Sequence, residues 1–189
     1  MLVEKSNQQS SPEEIDYALT PRIETWQDGR WYTNLYDLKA DVSVDEMDSA
    51  IQFDAHVHLV DRDRTDPPNG RLTYKLGYRF DSDHVVLTAK CNTRQQSCQK
   101  TNLALPLISR VNEPVRQISG TCIEIEKEKG TVCVNANVPL RIKKTERGRV
   151  FNLVPGFEAV PIVAELPNDP AGENLCEIVI SISTAARPC

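Results

Sequence analysis

Hydrophobic and polar residues alternate along most of the chain from Tyr36 onward. The segment 36–44 is apolar at every second position, and Ile51–Leu59 repeats the pattern after a short polar turn. Because successive side chains of a β-strand point to opposite faces, this period of two predicts strands with one buried and one solvated face.

Turn-forming residues interrupt the alternation at regular intervals. The loop Asp61–Gly70 is rich in Asp, Pro and Gly, and alternation resumes in Leu72–Phe80 and His84–Cys91. No segment keeps a helical period for three turns, so many short strands predict an all-β fold, an antiparallel β-sandwich. The remaining strands are predicted near 101–109, 121–126, 131–138, 150–154, 158–166 and 175–184.

The pattern also fixes which face of the strand Ile51–Leu59 is buried. Phe53 and Val57 are expected in the core, whereas Gln52 and His56 face outward, because a slip of one residue would exchange the two faces. For a buried Phe53, truncation to alanine would cost about 3–5 kcal/mol.

A hairpin is predicted around residues 127–128, where two alternating strands meet. A turn at these residues would pair Ile123 with Val132 and, one position further out, Cys122 with Cys133. Both thiols would then lie on the face opposite the isoleucines. Directly paired residues have Cβ atoms about 4.5–5.5 Å apart, close to the geometry of a disulfide.

Length and composition indicate one domain of ordinary globular character. A chain of 189 residues is typical of a single sandwich. Residues 1–20 are polar and predicted to be a flexible tail or linker, followed by a single sandwich domain over 21–189.

Charge and apolar runs limit the partners. The net charge is −5 with acids and bases interleaved, so nucleic acid is not an expected partner. Because no apolar run approaches about 20 residues, no membrane insertion is expected. Residues 1–14 lack the apolar core of a signal peptide. Two locations stay open: the cytoplasm, or the periplasm or exterior if the chain is a fragment of an exported protein. The six cysteines do not decide between them.

The most specific chemical motif is Asp54, His56 and His58 within Phe53–Leu59. It resembles the D-x-H-x-H opening of metal-dependent amidohydrolases, where neutral imidazoles bind a metal. Those enzymes use a barrel of about 250 residues with eight helices, which this chain lacks. Two histidines are too few ligands, so the favoured interpretation is a solvent-facing strand. No metal and no cofactor are expected.

Other catalytic patterns are absent from the sequence: it has no GxSxG, P-loop or GxGxxG motif. Trp26 and Trp31 precede the first clear strand. They could stack on a sugar ring or on an adjoining domain, but packing of the N-terminal segment onto the sandwich is the favoured interpretation. The chain alone is therefore expected not to be an enzyme.

The segment Arg149–Ala159, with the alternating strands before it, resembles the β-domain of multidomain polysaccharide lyases of the heparinase II/III type. The resemblance covers about 36–184 and rests on pattern rather than on a diagnostic motif. It implies a C-terminal or accessory sandwich beside a catalytic helical toroid. No catalytic residue of that family transfers to a position here.

Three hypotheses about function follow. The preferred one is a non-catalytic β-sandwich accessory to carbohydrate-active machinery of the polysaccharide lyase type, with a catalytic domain or a carbohydrate as its partner. The second is a protein-interaction or structural sandwich unrelated to sugars. The third is a small metal-dependent enzyme that uses His56 and His58.

Overall fold

The computed structural model describes residues 20–92, 100–143, 156–167 and 174–184. Within these ranges the chain is built from β-strands, apart from one short 3-10 helix. The strands are β1 Arg22–Gln27, β2 Arg30–Thr33, β3 Asp41–Met47, β4 Ala50–Leu59, β5 Leu72–Phe80, β6 His84–Cys91, β7 Thr101–Arg110, β8 Val115–Ser119, β9 Cys122–Lys127, β10 Gly130–Ala136, β11 Leu140–Ile142, β12 Phe157–Glu165 and β13 Leu175–Ser183.

The strands form two antiparallel sheets, which confirms the predicted β-sandwich. The larger sheet has eight strands in the order β3-β4-β5-β6-β13-β10-β9-β8, and the smaller has five in the order β11-β12-β7-β1-β2. A bridge between Thr33 and Val60 links the smaller sheet at its β2 edge to the residue after β4.

The core lies between the two sheets and is formed by every second residue of their facing strands. Val57, Leu59 and Tyr74 of the larger sheet and Ile23 and Leu103 of the smaller one are all at most 4 % exposed. Tyr78 packs against the same core, and burial raises the pKa of its hydroxyl to about 12. No helix in the described ranges is long and apolar enough to span a membrane.

The two best-defined predicted strands, Leu72–Phe80 and His84–Cys91, occur with those bounds. The strand predicted over 36–44 begins only at Asp41, because Asn34–Tyr36 form the 3-10 helix, whose first turn is capped by the Thr33 side chain. Strands β1, β2, β8 and β11 were not predicted. The tail predicted over residues 1–20 lies outside the described residues except for its last residue, and the strand predicted near 150–154 lies outside them entirely.

The prediction that Phe53 belongs to the core is wrong, although the face assignment of β4 is right. Val57 is 4 % exposed while Phe53 is 37 % exposed, and His56 is exposed on the other face. The smaller sheet meets β4 at its Leu59 end. Phe53 lies roughly 20 Å away along the strand, where none of the described strands of the smaller sheet covers the larger sheet.

The predicted pairing of the cysteine hairpin is also wrong. The turn consists of residues 128–129, so Ile123 pairs with Val134 and Cys133 pairs with Glu124. Cys122 pairs with Asn135 and is a diagonal neighbour of Cys133 rather than its direct partner. The turn lies one residue later than predicted. Such a shift moves the pairing by two positions and leaves both thiols on the predicted face.

Candidate functional site

The polar residues of β4 are held by neighbouring side chains rather than gathered around a common point. The His58 ring lies with Nδ1 3.1 Å from Oδ2 of Asp37, and the His58 backbone N–H donates to the same oxygen at 2.8 Å. Burial of Asp37 opposes its ionisation, but hydrogen bonds from the amides of His58 and Lys39 and from the His58 ring outweigh it and lower the carboxyl pKa. His58 therefore anchors the segment before β3.

Asp54 has a different set of partners. Its Oδ2 accepts a hydrogen bond from Gln52 Nε2 at 2.9 Å and lies 3.2 Å from Lys75 Nζ. Burial opposes ionisation here too, but the hydrogen bonds from Gln52 and Lys75 and nearby positive charge lower the carboxyl pKa. His56, opposite Asp41 and Lys75, is exposed.

Among the described residues, no group of three or more His, Cys, Asp or Glu side chains is placed to hold a metal ion. The motif of Asp54, His56 and His58 thus has the geometry of a polar strand face. The absence of a bound metal stays a prediction, to be checked by metal analysis of the purified protein.

A groove crosses the outer face of the larger sheet, the face opposite the core. It has a volume of about 450 Å³ and spans β4, β5, β6 and β13. We refer to its small lining residues, Gly77, Val86, Thr88 and Val179, as the floor, and to its longer polar ones, Gln52, Arg79, His84 and Glu177, as the rim.

The centre of the groove requires a glycine. A Cβ at Gly77 would collide with Thr88 Oγ1 and stand 3.2 Å from Asp54 Oδ1. Thr88 and Asp54 thus fill the space that a side chain at this position would take.

One end of the rim is a small network of charges. Arg79 Nη2 lies 3.1 Å from Asp81 Oδ1, and His84 Nε2 lies 2.9 Å from Asp81 Oδ2. His84 Nδ1 is 2.7 Å from Asp83 Oδ1, and the hydrogen bond and charge of His84 lower the pKa of the Asp83 carboxyl. These contacts orient Arg79 and His84 at the edge of the groove.

An apolar strip lies on the inner face of the larger sheet, beyond the cover of the smaller sheet. Register places Val44 beside Phe53 and Ile51 beside Phe80. The rings of Phe53 and Phe80 are in edge-to-face contact with centroids 5.8 Å apart. We define the apolar strip as the five residues Val42, Val44, Ile51, Phe53 and Phe80. Their exposed fractions range from 37 to 58 %.

Trp26 and Trp31 lie on the smaller sheet, away from both the groove and the strip. They pair directly across β1 and β2, with ring centroids 5.3 Å apart in an edge-on arrangement. Trp26 is 46 % exposed, and Lys143 Nζ lies 5.5 Å from the centroid of the Trp31 ring. Their role as a sugar-stacking surface remains a prediction.

Sequence reasoning found neither the groove nor the strip. The groove combines four strands that are distant in sequence, so no local motif marks it. The strip has the alternation of a core strand, and only the extent of the opposite sheet shows that it is uncovered.

Comparisons with known proteins give one consistent relationship. The family described as the ulvan lyase C-terminal domain has a model that matches residues 1–183. A broad-specificity ulvan lyase from Formosa agariphila is 38 % identical over 161 residues, which are 85 % of this chain and 25 % of that protein. The chain thus spans about a quarter of that relative's length. A solved bacterial glucoamylase complexed with acarbose superimposes with a TM-score of 0.46 and 14 % identity, over 88 % of this chain and 27 % of that one. A likeness at this level carries no information about function.

Proposed function

Because the chain belongs to the family of ulvan lyase C-terminal domains, we propose that it is a non-catalytic accessory domain that packs against the catalytic part of a longer polysaccharide lyase. We take residues 21–189 as this domain. The resemblance to heparinase II/III-type enzymes further leads us to propose that the catalytic part is a helical toroid.

The observation that carries the proposal is the apolar strip. Its five residues continue the core-facing surface of the larger sheet, yet each is at least 37 % exposed. Contiguous apolar surface of this kind marks interaction sites in soluble proteins. An apolar surface that resembles one side of a domain core is typical of an obligate interface with another protein domain rather than of a site for a soluble ligand.

The catalytic part of the same enzyme is the occupant that fits best. The relative from Formosa agariphila extends over about four times the matched length, so most of such an enzyme lies outside this domain. Interfaces between domains of one chain commonly bury about 600–1,500 Å². The strip spans three adjacent strands and offers a centre for such an interface.

The experiment compares two variants in the longer lyase that contains this domain. Val44→Asp places a charge in the strip, and Ile118→Asp is the control. Val44 is 51 % exposed and Ile118, on β8 at the far edge of the same sheet, is 46 % exposed. We expect Val44→Asp to split thermal unfolding into two transitions and to lower lyase activity, because a buried unpaired charge destabilises an interface. Ile118→Asp should leave both unchanged.

Two results would contradict the proposal. One is equal behaviour of the two variants in the longer enzyme. The other is formation of the unsaturated lyase product by the 189-residue chain alone, since an accessory domain supplies no complete catalytic centre.

A further inference from the structure

The groove on the outer face lies on the side of the larger sheet opposite the apolar strip. A neighbouring domain that covers the strip would therefore leave the groove open to solvent. The volume of about 450 Å³ is within the range of about 300–1,000 Å³ that ligand sites occupy. The two surfaces can serve different partners at the same time.

The floor and rim of the groove have complementary chemistry. The floor includes the apolar side chains of Val86 and Val179, which are direct neighbours across β6 and β13. On the rim, Arg79 can only donate hydrogen bonds and Glu177 can only accept them, whereas Gln52 can do both. This combination fits a ring that has a C–H face and hydroxyl groups around its edge.

We propose that this groove binds a saccharide unit of a polysaccharide chain, with the sugar ring over Val86 and Val179 and its hydroxyls bonded to Gln52, Arg79 and Glu177. The class of ligand rests on the proposed function, since a domain of a polysaccharide lyase meets polysaccharide chains. The location of the site rests on the structure alone.

The test is calorimetric titration of the 189-residue chain with ulvan oligosaccharides of several sugar units. Arg79→Ala removes a rim donor, and Arg116→Ala is the matched control. Both arginines are more than half exposed, and each has a carboxylate partner at 3.1 or 3.0 Å. We expect binding in the millimolar range or tighter, weakened about tenfold by Arg79→Ala, as for loss of a charged hydrogen bond, and unchanged by Arg116→Ala.

A second variant, Val179→Glu, places a charge on the apolar floor without removing a polar group and should abolish binding. No binding of the oligosaccharides, or equal weakening by Arg79→Ala and Arg116→Ala, would overturn the inference. Val44→Asp separates this result from the proposed function. It should disturb domain packing in the longer enzyme and leave saccharide binding by the isolated chain unchanged.

Discussion

Replacement of Phe53 by alanine tests whether the inner face of the larger sheet is uncovered at this end. Burying a phenylalanine side chain completely contributes up to about 3 kcal/mol, but Phe53 is 37 % exposed, and the new alanine retains part of the burial. Solvent can also fill the vacated space, so no cavity remains. We therefore expect Phe53→Ala to lower the free energy of unfolding by about 1.5 kcal/mol.

The matched change is Leu59→Ala on the same face of the same strand. Leu59 is 0 % exposed, so its truncation leaves a cavity and should cost about 2–5 kcal/mol. Urea unfolding of the 189-residue chain, followed by tryptophan fluorescence, measures both values. A cost for Phe53→Ala equal to or above that for Leu59→Ala would show that Phe53 is part of the closed core and would remove the basis of the apolar strip.

Two further changes test other parts of the structure. Gly130→Ala should destabilise the protein by about 1–3 kcal/mol, because the new Cβ would collide with the Ser183 carbonyl oxygen. The control Gly120→Ala should change thermal stability little, since a Cβ at that position would have no heavy atom within 4 Å. Equal melting temperatures of the two variants would refute the tight contact between β10 and β13. The pKa of Asp37 in the folded chain is lowered from the usual 3.8, so as the pH falls this carboxyl is protonated in the unfolded chain before it is protonated in the folded one. The stability that the carboxylate contributes should therefore be lost as pH falls below about 4. Asp37→Asn should flatten that loss in urea titrations at pH 7 and pH 3, and an unchanged pH dependence would contradict the role of the His58–Asp37 contact.

Alternation was sufficient to predict the fold class and several strands, since β5 and β6 carry apolar residues on one face throughout. The resemblance of Arg149–Ala159 and the preceding strands to polysaccharide lyases is confirmed by the family relationship, but the heparinase II/III type is not. Alternation missed β1 because neither face of that strand is uniformly apolar: one carries Arg22, Glu24 and Trp26, and the other carries Ile23, Thr25 and Gln27. Arg22 and Glu24 form an ion pair at 2.9 Å and are both buried, so the polar face of β1 is buried as well.

The sequence shows where the prolines of the strands lie, but only the strand order shows why the sheet tolerates them. Pro106 and Pro161 pair directly in the smaller sheet, although β7 and β12 are both interior strands. Pairing of β1 with β7 ends at Ala104, so within the part of the chain that the structure describes Pro106 has no neighbouring strand on that side of β7. A proline there removes no ladder hydrogen bond, which is the condition under which a sheet tolerates proline.

The hairpin error shows a limit of periodicity. A turn at 127–128 and a turn at 128–129 place the same residues on the same faces, so alternation does not distinguish them. The groove was unpredictable for a related reason. Its floor depends on which strands are neighbours in the sheet, and Val86 and Val179 are adjacent only because β13 returns to pair with β6.

The strand order also has a kinetic consequence. Strand β1 pairs with β7 and β6 pairs with β13, so each sheet is completed by residues far apart in the chain. The entropy of closing these long loops is lost before the core contacts form. We expect folding on the slow scale of about milliseconds to seconds that is typical of such topologies. Until β13 has paired with β6 and β10, the edges of these two strands that will receive it remain unpaired. At this stage a refolding chain would be most prone to aggregate with a second copy through those edges.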